Sequence, residues 1–299
     1  MSLGIDMVSY KTCSFDCIYC QIGKTARKTI KRKDFGRTGR IMEELAAKLE
    51  YGMRPDHITL GGSGEPTLNL EIGSVIRNIK KITDIPVAVL TNASLLYDPV
   101  VRKDLDAADV VLPSLDAADE EMFRRINRPH PDISLNRLVD GLAAFSQFFA
   151  GELWLEIFFI EEFNTSDEQI EQFNALLKII DPEKVHLNTA VRPPAEHFAA
   201  PVKIATLEAI ASKLGENAEI VAEFDEKKHV FTEGELVEDD LIGMLERRPC
   251  TVSDIAAGLN ISEKHAFGCV KKLLAEGKVA QKTTGMHTYY FPVRNIPSL

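Results

Sequence analysis

From residue 2 to about residue 224, short β-branched and apolar runs alternate with longer amphipathic ones, and no other feature limits the fold as strongly. Repeated strand–helix units bury both kinds of apolar surface when the strands lie parallel and the helices cross back over the sheet. Strands are expected at 3–8, 58–60, 87–90, 110–112, 153–160 and 185–187. Helices are expected between them, at 38–51, 72–81, 99–105 with 120–126, 135–149, 166–180 and 204–213. Thr165 with Glu168 reads as a capping box for the helix at 166. Six strands, each followed by helix, predict an α/β fold, a partial (β/α)6 barrel over residues 1–225. Whether the barrel closes is left open at this level.

The unusual residues fall where strands end. Cys13, Cys17 and Cys20 follow the first strand, and Gly61-Gly62-Ser63-Gly64-Glu65-Pro66-Thr67 the second. Thr91 and Asn92 follow the third, and Ser114-Leu115-Asp116 the fourth. Glycine and polar residues are common in turns for their own reasons. Four such clusters on the carboxyl rim of a parallel sheet mark the edge where barrels place their chemistry.

Five cysteines is an odd number, and three of them crowd into eight residues. Neither the parity nor the length suits a disulfide framework, so reduced thiols in a reducing compartment are expected, with Cys250 and Cys269 as buried free thiols. The spacing Cys-x3-Cys-x2-Cys wraps one side of a metal centre. A structural zinc needs a fourth protein ligand, which a distant residue such as His57 would have to supply. A cubane iron-sulfur cluster takes four cysteines, so three leave one iron open to an external ligand.

The run Cys13-Ser14-Phe15-Asp16-Cys17-Ile18-Tyr19-Cys20 resembles the signature of the radical S-adenosylmethionine (radical SAM) enzymes, a resemblance that extends in element order over about residues 2–224. It implies a [4Fe-4S] cluster on Cys13, Cys17 and Cys20. The amino and carboxylate groups of S-adenosylmethionine would chelate the fourth iron. Reductive cleavage would then give a 5′-deoxyadenosyl radical that takes a hydrogen atom from substrate. The resemblance also implies cofactor-binding roles. Tyr19 would lie near adenine. Gly62, Ser63, Gly64 and Glu65 would correspond to a glycine-glycine-glutamate element whose carboxylate accepts from the methionyl ammonium. Ser114 and Asp116 would meet the ribose, with Asn92, Glu156 and Asn188 as further candidates; Arg192 is either a ligand contact or a surface residue. Glu156 sits in an apolar strand, where an unpartnered carboxylate is costly. No side chain is singled out as catalytic, and a flavodoxin or ferredoxin is expected as electron donor.

The first strand, Ser-Leu-Gly-Ile-Asp, and its continuation to Gly23 resemble a radical SAM subgroup distantly similar to the tRNA wyosine-base synthases. Those synthases use additional cysteines for a second cluster, and this chain has none to spare in its catalytic part. The subgroup usually carries an upstream basic segment, so a truncated N-terminus is expected.

Net charge is −10, which disfavours indiscriminate coating of nucleic acid or anionic membrane. Against that acidic background, Lys24, Arg27, Lys28, Lys31, Arg32, Lys33, Arg37 and Arg40 face a single acid, Asp34. This run leaves the cysteine loop and reads either as a lead for RNA phosphates or as a solvated loop. Residues 226–235 read as a linker, and 236–299 resemble a winged helix-turn-helix, with helices at 239–245, 252–259 and 263–275 and a two-stranded wing. That domain carries eight basic and seven acidic residues, which favours protein docking or weak RNA contact over sequence-specific DNA binding. The alternative function is an iron-sulfur redox-sensing regulator that binds DNA through the winged helix. With no long apolar run and no signal-peptide pattern, a cytoplasmic protein without membrane contact is expected.

Overall fold

The computed structural model describes residues 2–222, 238–259, 261–284 and 287–293. The linker expected at 226–235 and the turn residue Gly285 lie outside these residues. The chain divides into two compact units: Met1–Ile18, Lys24–Ala190 and Ala199–Ala222 in the first, and Tyr19–Gly23, Val191–Phe198 and Glu223–Leu299 in the second.

The first unit begins with β1 (Ser2–Asp6), β2 (Thr12–Cys13), β3 (Arg27–Lys28), α1 (Thr38–Glu50), β4 (His57–Gly61) and α2 (Ile72–Ile82). It continues with β5 (Val87–Thr91), α3 (Pro99–Leu105), β6 (Val110–Pro113), α4 (Glu120–Ile126) and α5 (Leu135–Ser146). Then come β7 (Glu152–Phe159), α6 (Asp167–Ile180), β8 (Lys184–Thr189), α7 (Ile204–Leu214) and β9 (Ala218–Ile220). The main sheet is parallel throughout, in the order β1-β4-β5-β6-β7-β8-β9, with β1 and β9 as its edges. Seven strands replace the expected six. β9 has three residues, one of them Glu219, too short and polar to stand out as a period-2 run.

Strand pairing fixes which side chains share a face, since neighbours two apart point the same way. Ile58, Leu60, Val87, Val89, Val111, Leu153, Leu155, Ile157, Val185 and Leu187 lie on one face, each at most 2% exposed under the helices. The other face carries Asp6, Gly61, Leu90, Leu112, Trp154, Glu156, His186 and Asn188. His57 and Trp154, three strands apart on that face, bring their ring centroids to 6.3 Å. A flat sheet would hold their backbones about 14 Å apart, so this face is concave. Leu90, in the middle of the sheet, is nevertheless 44% exposed. The concave face is therefore open at that level rather than filled by core.

Helix boundaries agree with expectation to within a few residues. α5 stops at Ser146 rather than 149. The N-cap of α6 is Ser166, whose hydroxyl accepts from Gln169 N at 3.3 Å, so the capping box expected from Thr165 is not formed. Ser and Thr are interchangeable in the pattern, and the local chain path selects the second of the two.

The second unit contains α8 (Glu238–Arg247), α9 (Val252–Leu259), α10 (Glu263–Ala275) and an antiparallel hairpin of β10 (Val279–Thr284) and β11 (His287–Pro292). Leu241, Leu245, Ile255, Val270, Leu273, Val279 and Tyr290 form its core with Cys250, whose thiol burial pushes up to about 11. Thr251 and Asp254 cap α9 reciprocally: Asp254 N donates to Thr251 Oγ1 at 3.0 Å and Thr251 N to Asp254 Oδ2 at 2.9 Å. Asp254 also pairs with Arg192 at 2.8 Å, and the Tyr289 hydroxyl donates to Val191 O at 2.7 Å.

Candidate active site at the carboxyl edge of the sheet

The chain leaves β1 at Asp6 and reaches the first cysteine through a tight turn in which Lys11 adopts φ 55°. Lys11 N donates to Ser63 O at 2.7 Å, and Glu65 N donates to Thr12 O at 3.1 Å. The glycine-rich loop after β4 is thereby laid against β2 and Cys13. Gly64 has no room for a side chain, because a Cβ there would collide with the carbonyl oxygen of Thr12. Gly62 sits at φ +102°, and a Cβ on it would come within 2.9 Å of the Asp6 carboxyl. Ser63 is anchored on the same carboxylate through both its amide, at 3.3 Å, and its hydroxyl. At these two glycines the close approach is made by the protein's own backbone and Asp6.

Glu65 is 2% exposed and receives four hydrogen bonds. Thr67 N (3.0 Å), the Thr67 hydroxyl and the Thr91 hydroxyl (2.6 Å) donate to Oε1, and Asn92 N donates to Oε2 at 2.7 Å. Burial pushes its pKa up and the four donors oppose that. The carboxylate joins the loop after β4 to the end of β5. There Asn92 turns its amide toward the cysteine loop, with Nδ2 donating to Ser14 Oγ at 2.8 Å and lying 3.4 Å from Cys13 Sγ.

On the other side, Asp116 is 2% exposed. Its Oδ1 accepts from Phe158 N at 3.0 Å and its Oδ2 from Asn127 Nδ2 at 2.6 Å. The same Nδ2 lies 3.5 Å from Cys17 Sγ. The cysteine loop is strapped to the end of α4 by Asp16 N donating to Asn127 O at 3.0 Å and Ile18 N to Ile126 O at 2.9 Å. Ser114, half-buried, bridges to Glu156 on β7. Glu156 accepts from Asn188 Nδ2 at 3.2 Å, and burial together with the nearby Asp116 charge pushes its pKa up to about 7.

Of the residues expected from sequence, Cys13, Cys17, Gly62, Ser63, Gly64, Glu65, Asn92, Ser114, Asp116, Glu156 and Asn188 all belong to the carboxyl-edge loops and strands of the first unit. Tyr19, Cys20 and Arg192 belong to the second, where Arg192 is committed to Asp254. Sequence reasoning missed Asp6, Ser14 with its 2.6 Å partner Ser94, and Asn127. Asn127 is the C-cap of α4 and gives no signal beyond that of an ordinary helix stop.

Among the described residues no three His, Cys, Asp or Glu side chains form a ready-made metal cage. The donor set still fits an iron-sulfur cluster. Cys13, Cys17 and Cys20 are all half-buried. Amide hydrogens from Asn92 and Asn127 face two of the sulfurs, the surroundings a charged thiolate needs. A buried acceptor, Asn127 Oδ1, has no partner.

Comparison with known proteins agrees with this chemistry. The family model for the radical SAM superfamily matches residues 7–174. The GTPase Obg of Brachyspira hyodysenteriae is 37% identical over 94% of this chain, which spans only 42% of that protein. A UPF0026 protein of Methanocaldococcus jannaschii is 33% identical, with 99% of this chain and 93% of the relative covered. Among solved structures, a radical SAM methyltransferase from Sphaerobacter thermophilus superposes with TM-score 0.56 at 16% identity, over 75% of this chain and 67% of that one. Streptococcus suis SuiB bound to S-adenosylmethionine superposes with TM-score 0.55 at 14% identity, over 74% and 50%. At these identities the likeness is one of fold.

Proposed function

Because this chain belongs to the radical SAM superfamily and so works with a [4Fe-4S] cluster and S-adenosylmethionine, we propose that it is a hydrogen-abstracting enzyme whose substrate is an RNA held through its phosphates. When bound, the two cofactors supply one electron and cleavage of the sulfur–C5′ bond, which yields methionine and a 5′-deoxyadenosyl radical. The observation that carries the reading is the pair of amides, Asn92 and Asn127, aimed at Cys13 and Cys17 Sγ on the loop that follows β1.

Cys13, Cys17 and Cys20 hold the cluster, and the chain's remaining work is placement and exclusion. The edge built from Gly62, Ser63, Gly64, Glu65, Asn92, Ser114 and Asp116 forms the S-adenosylmethionine site. Glu65 and Asp116 act there by fixing their neighbours, since each has both carboxylate oxygens engaged. Glu156 and Asn188 reach the site from the concave face, where a carboxyl titrating near 7 can hold or release a proton beside the substrate. Leu90 and Leu112 leave apolar wall open for that substrate.

The preference for RNA rests on β3. Arg27, Lys28, Lys31 and Lys33 are exposed, and among the described residues none is paired to a carboxylate, whereas Arg32 is held by Asp104 and Arg40 by Glu44. Lys28 pairs in register with Cys13 and donates to Arg128 O at 3.0 Å, so the cations begin beside the cysteine loop. A row of unneutralised cations gains most from releasing counterions off a phosphate backbone. The helices and hairpin of the second unit, read as a winged helix, serve as a docking module. A flavodoxin or ferredoxin supplies the electron, in the cytoplasm.

Anaerobic, cluster-reconstituted protein with dithionite and S-adenosylmethionine should form 5′-deoxyadenosine, and a small-RNA fraction should raise the yield and show a nucleoside mass change. Cys17→Ala should do neither. Wild-type 5′-deoxyadenosine production by Cys17→Ala would refute the reading, and a yield indifferent to RNA would remove RNA from it.

A further inference from the structure

Asn127 is 2% exposed and sits where three constraints meet. Its backbone N donates to Phe123 O at 2.9 Å, closing α4, and its backbone O accepts from Asp16 N at 3.0 Å, strapping the cysteine loop. Both hydrogens of its side-chain amide have destinations: Asp116 Oδ2 at 2.6 Å and Cys17 Sγ at 3.5 Å. The flipped amide would face two acceptors with its carbonyl oxygen, so Asp116 and Cys17 together fix the orientation. Oδ1 is then left buried with no donor. Such an atom is costly unless something outside the chain pairs with it.

We infer that Asn127 is a positioning residue shared between the cluster ligand Cys17 and the bound nucleoside: Nδ2 donates to the Cys17 sulfur, and Oδ1 accepts a hydroxyl of the S-adenosylmethionine ribose. The inference rests on the radical SAM reading above. Asp116, each of whose carboxylate oxygens accepts a hydrogen bond from a neighbour, orients this amide. Asn92 makes the equivalent donation to Cys13 from the end of β5, so the two amides approach the loop from different strands. A hydrogen bond to a thiolate lowers the cost of adding negative charge to the cluster, so each amide raises the reduction potential.

The test is a potentiometric titration of the reconstituted cluster, followed by electron paramagnetic resonance, alongside equilibrium dialysis with S-adenosylhomocysteine and with methionine. Asn127→Ala should leave the cluster about tenfold harder to reduce at a fixed potential, a fall of about 59 mV for one electron. It should also weaken S-adenosylhomocysteine about tenfold and leave methionine, which has no ribose, unchanged. Asn127→Ser, which keeps a small hydroxyl, should recover part of both losses. Asn92→Ala should also lower the potential, and it reads the sulfur bond even where an Asn127 variant folds poorly. Potentials within 10 mV of wild type in the variants that hold iron overturn the sulfur bond. A lowered potential with unchanged S-adenosylhomocysteine affinity overturns the ribose contact and assigns Oδ1 to water. Equal loss of methionine assigns it to the ammonium instead. Wild-type protein that assembles no four-iron cluster fails the parent reading, a result separate from any of these.

Discussion

Replacing Glu156 with glutamine should flatten the pH dependence of the first unit's stability. The Glu156 carboxyl is displaced from an ordinary 4.5 to about 7, first by burial and second by the Asp116 charge, with the Asn188 amide opposing. A carboxyl raised in this way favours the folded chain while protonated. Its contribution is complete below about 4.5, declines as pH rises, and is gone above about 7. At 1.36 kcal/mol for each pH unit, the interval corresponds to about 3 kcal/mol. Glutamine is neutral throughout and can still accept from Asn188. The variant should exceed wild type by less than about 1 kcal/mol at pH 5 and by about 3 kcal/mol at pH 8.5. Trp154, the single tryptophan, lies two residues away on the same strand, so urea unfolding followed by its fluorescence in cluster-free protein reads the first unit specifically. A wild-type-to-variant difference of equal size at pH 5 and pH 8.5 would refute the reasoning, because it would mean that the carboxyl is solvated or already paired.

Gly64→Ala drives a methyl group into the Thr12 carbonyl and should cost about 1–3 kcal/mol in the same urea assay, with reduced iron uptake because β2 carries Cys13. Gly39→Ala, in α1 where a Cβ meets nothing within 4 Å, should instead stabilise by about 0.5–1 kcal/mol. Asp254→Ala removes the carboxylate half of the α9 capping box and the 2.8 Å pair with Arg192, the two side chains of that pair being 18% and 15% exposed. It should destabilise the second unit by about 2 kcal/mol. Faster amide exchange across 252–259 would record it, and unchanged exchange there would refute it.

The architecture was legible because parallel strand–helix units need buried β-branched runs, and these survive in the sequence as apolar stretches bounded by glycine and polar residues. β9 and the β2–β3 pair escaped for the complementary reason. Two- and three-residue strands such as Thr12–Cys13 and Arg27–Lys28 have no room for a period. Their pairing is imposed by the tertiary path, here by Arg27 N donating to Lys11 O at 3.0 Å and Thr29 N to Cys13 O at 2.9 Å. The basic run after the cysteines is accordingly ordered beside the loop it leaves, an arrangement charge counting alone does not indicate.

The site was legible as a set of residue types but not as a set of free lone pairs. Glu65 and Asp116 have the chemistry of ligand contacts, yet each is 2% exposed and spends both carboxylate oxygens on neighbours. Whether a carboxylate faces a ligand or its own backbone depends on which donors the fold brings within 3 Å, and those come from Asn92, 27 residues from Glu65, and from Phe158, 42 residues from Asp116. The reverse holds for Asn127, which looks like a helix stop and carries the one buried side-chain acceptor left unpaired beside a cysteine sulfur among the described residues. Buried acidic groups whose oxygens each accept from a neighbour, holding an amide whose oxygen does not, form an edge with fixed geometry. Such an edge keeps its shape when a charged cluster and a sulfonium nucleoside are brought together, and that preorganisation is what chemistry on a reactive radical requires.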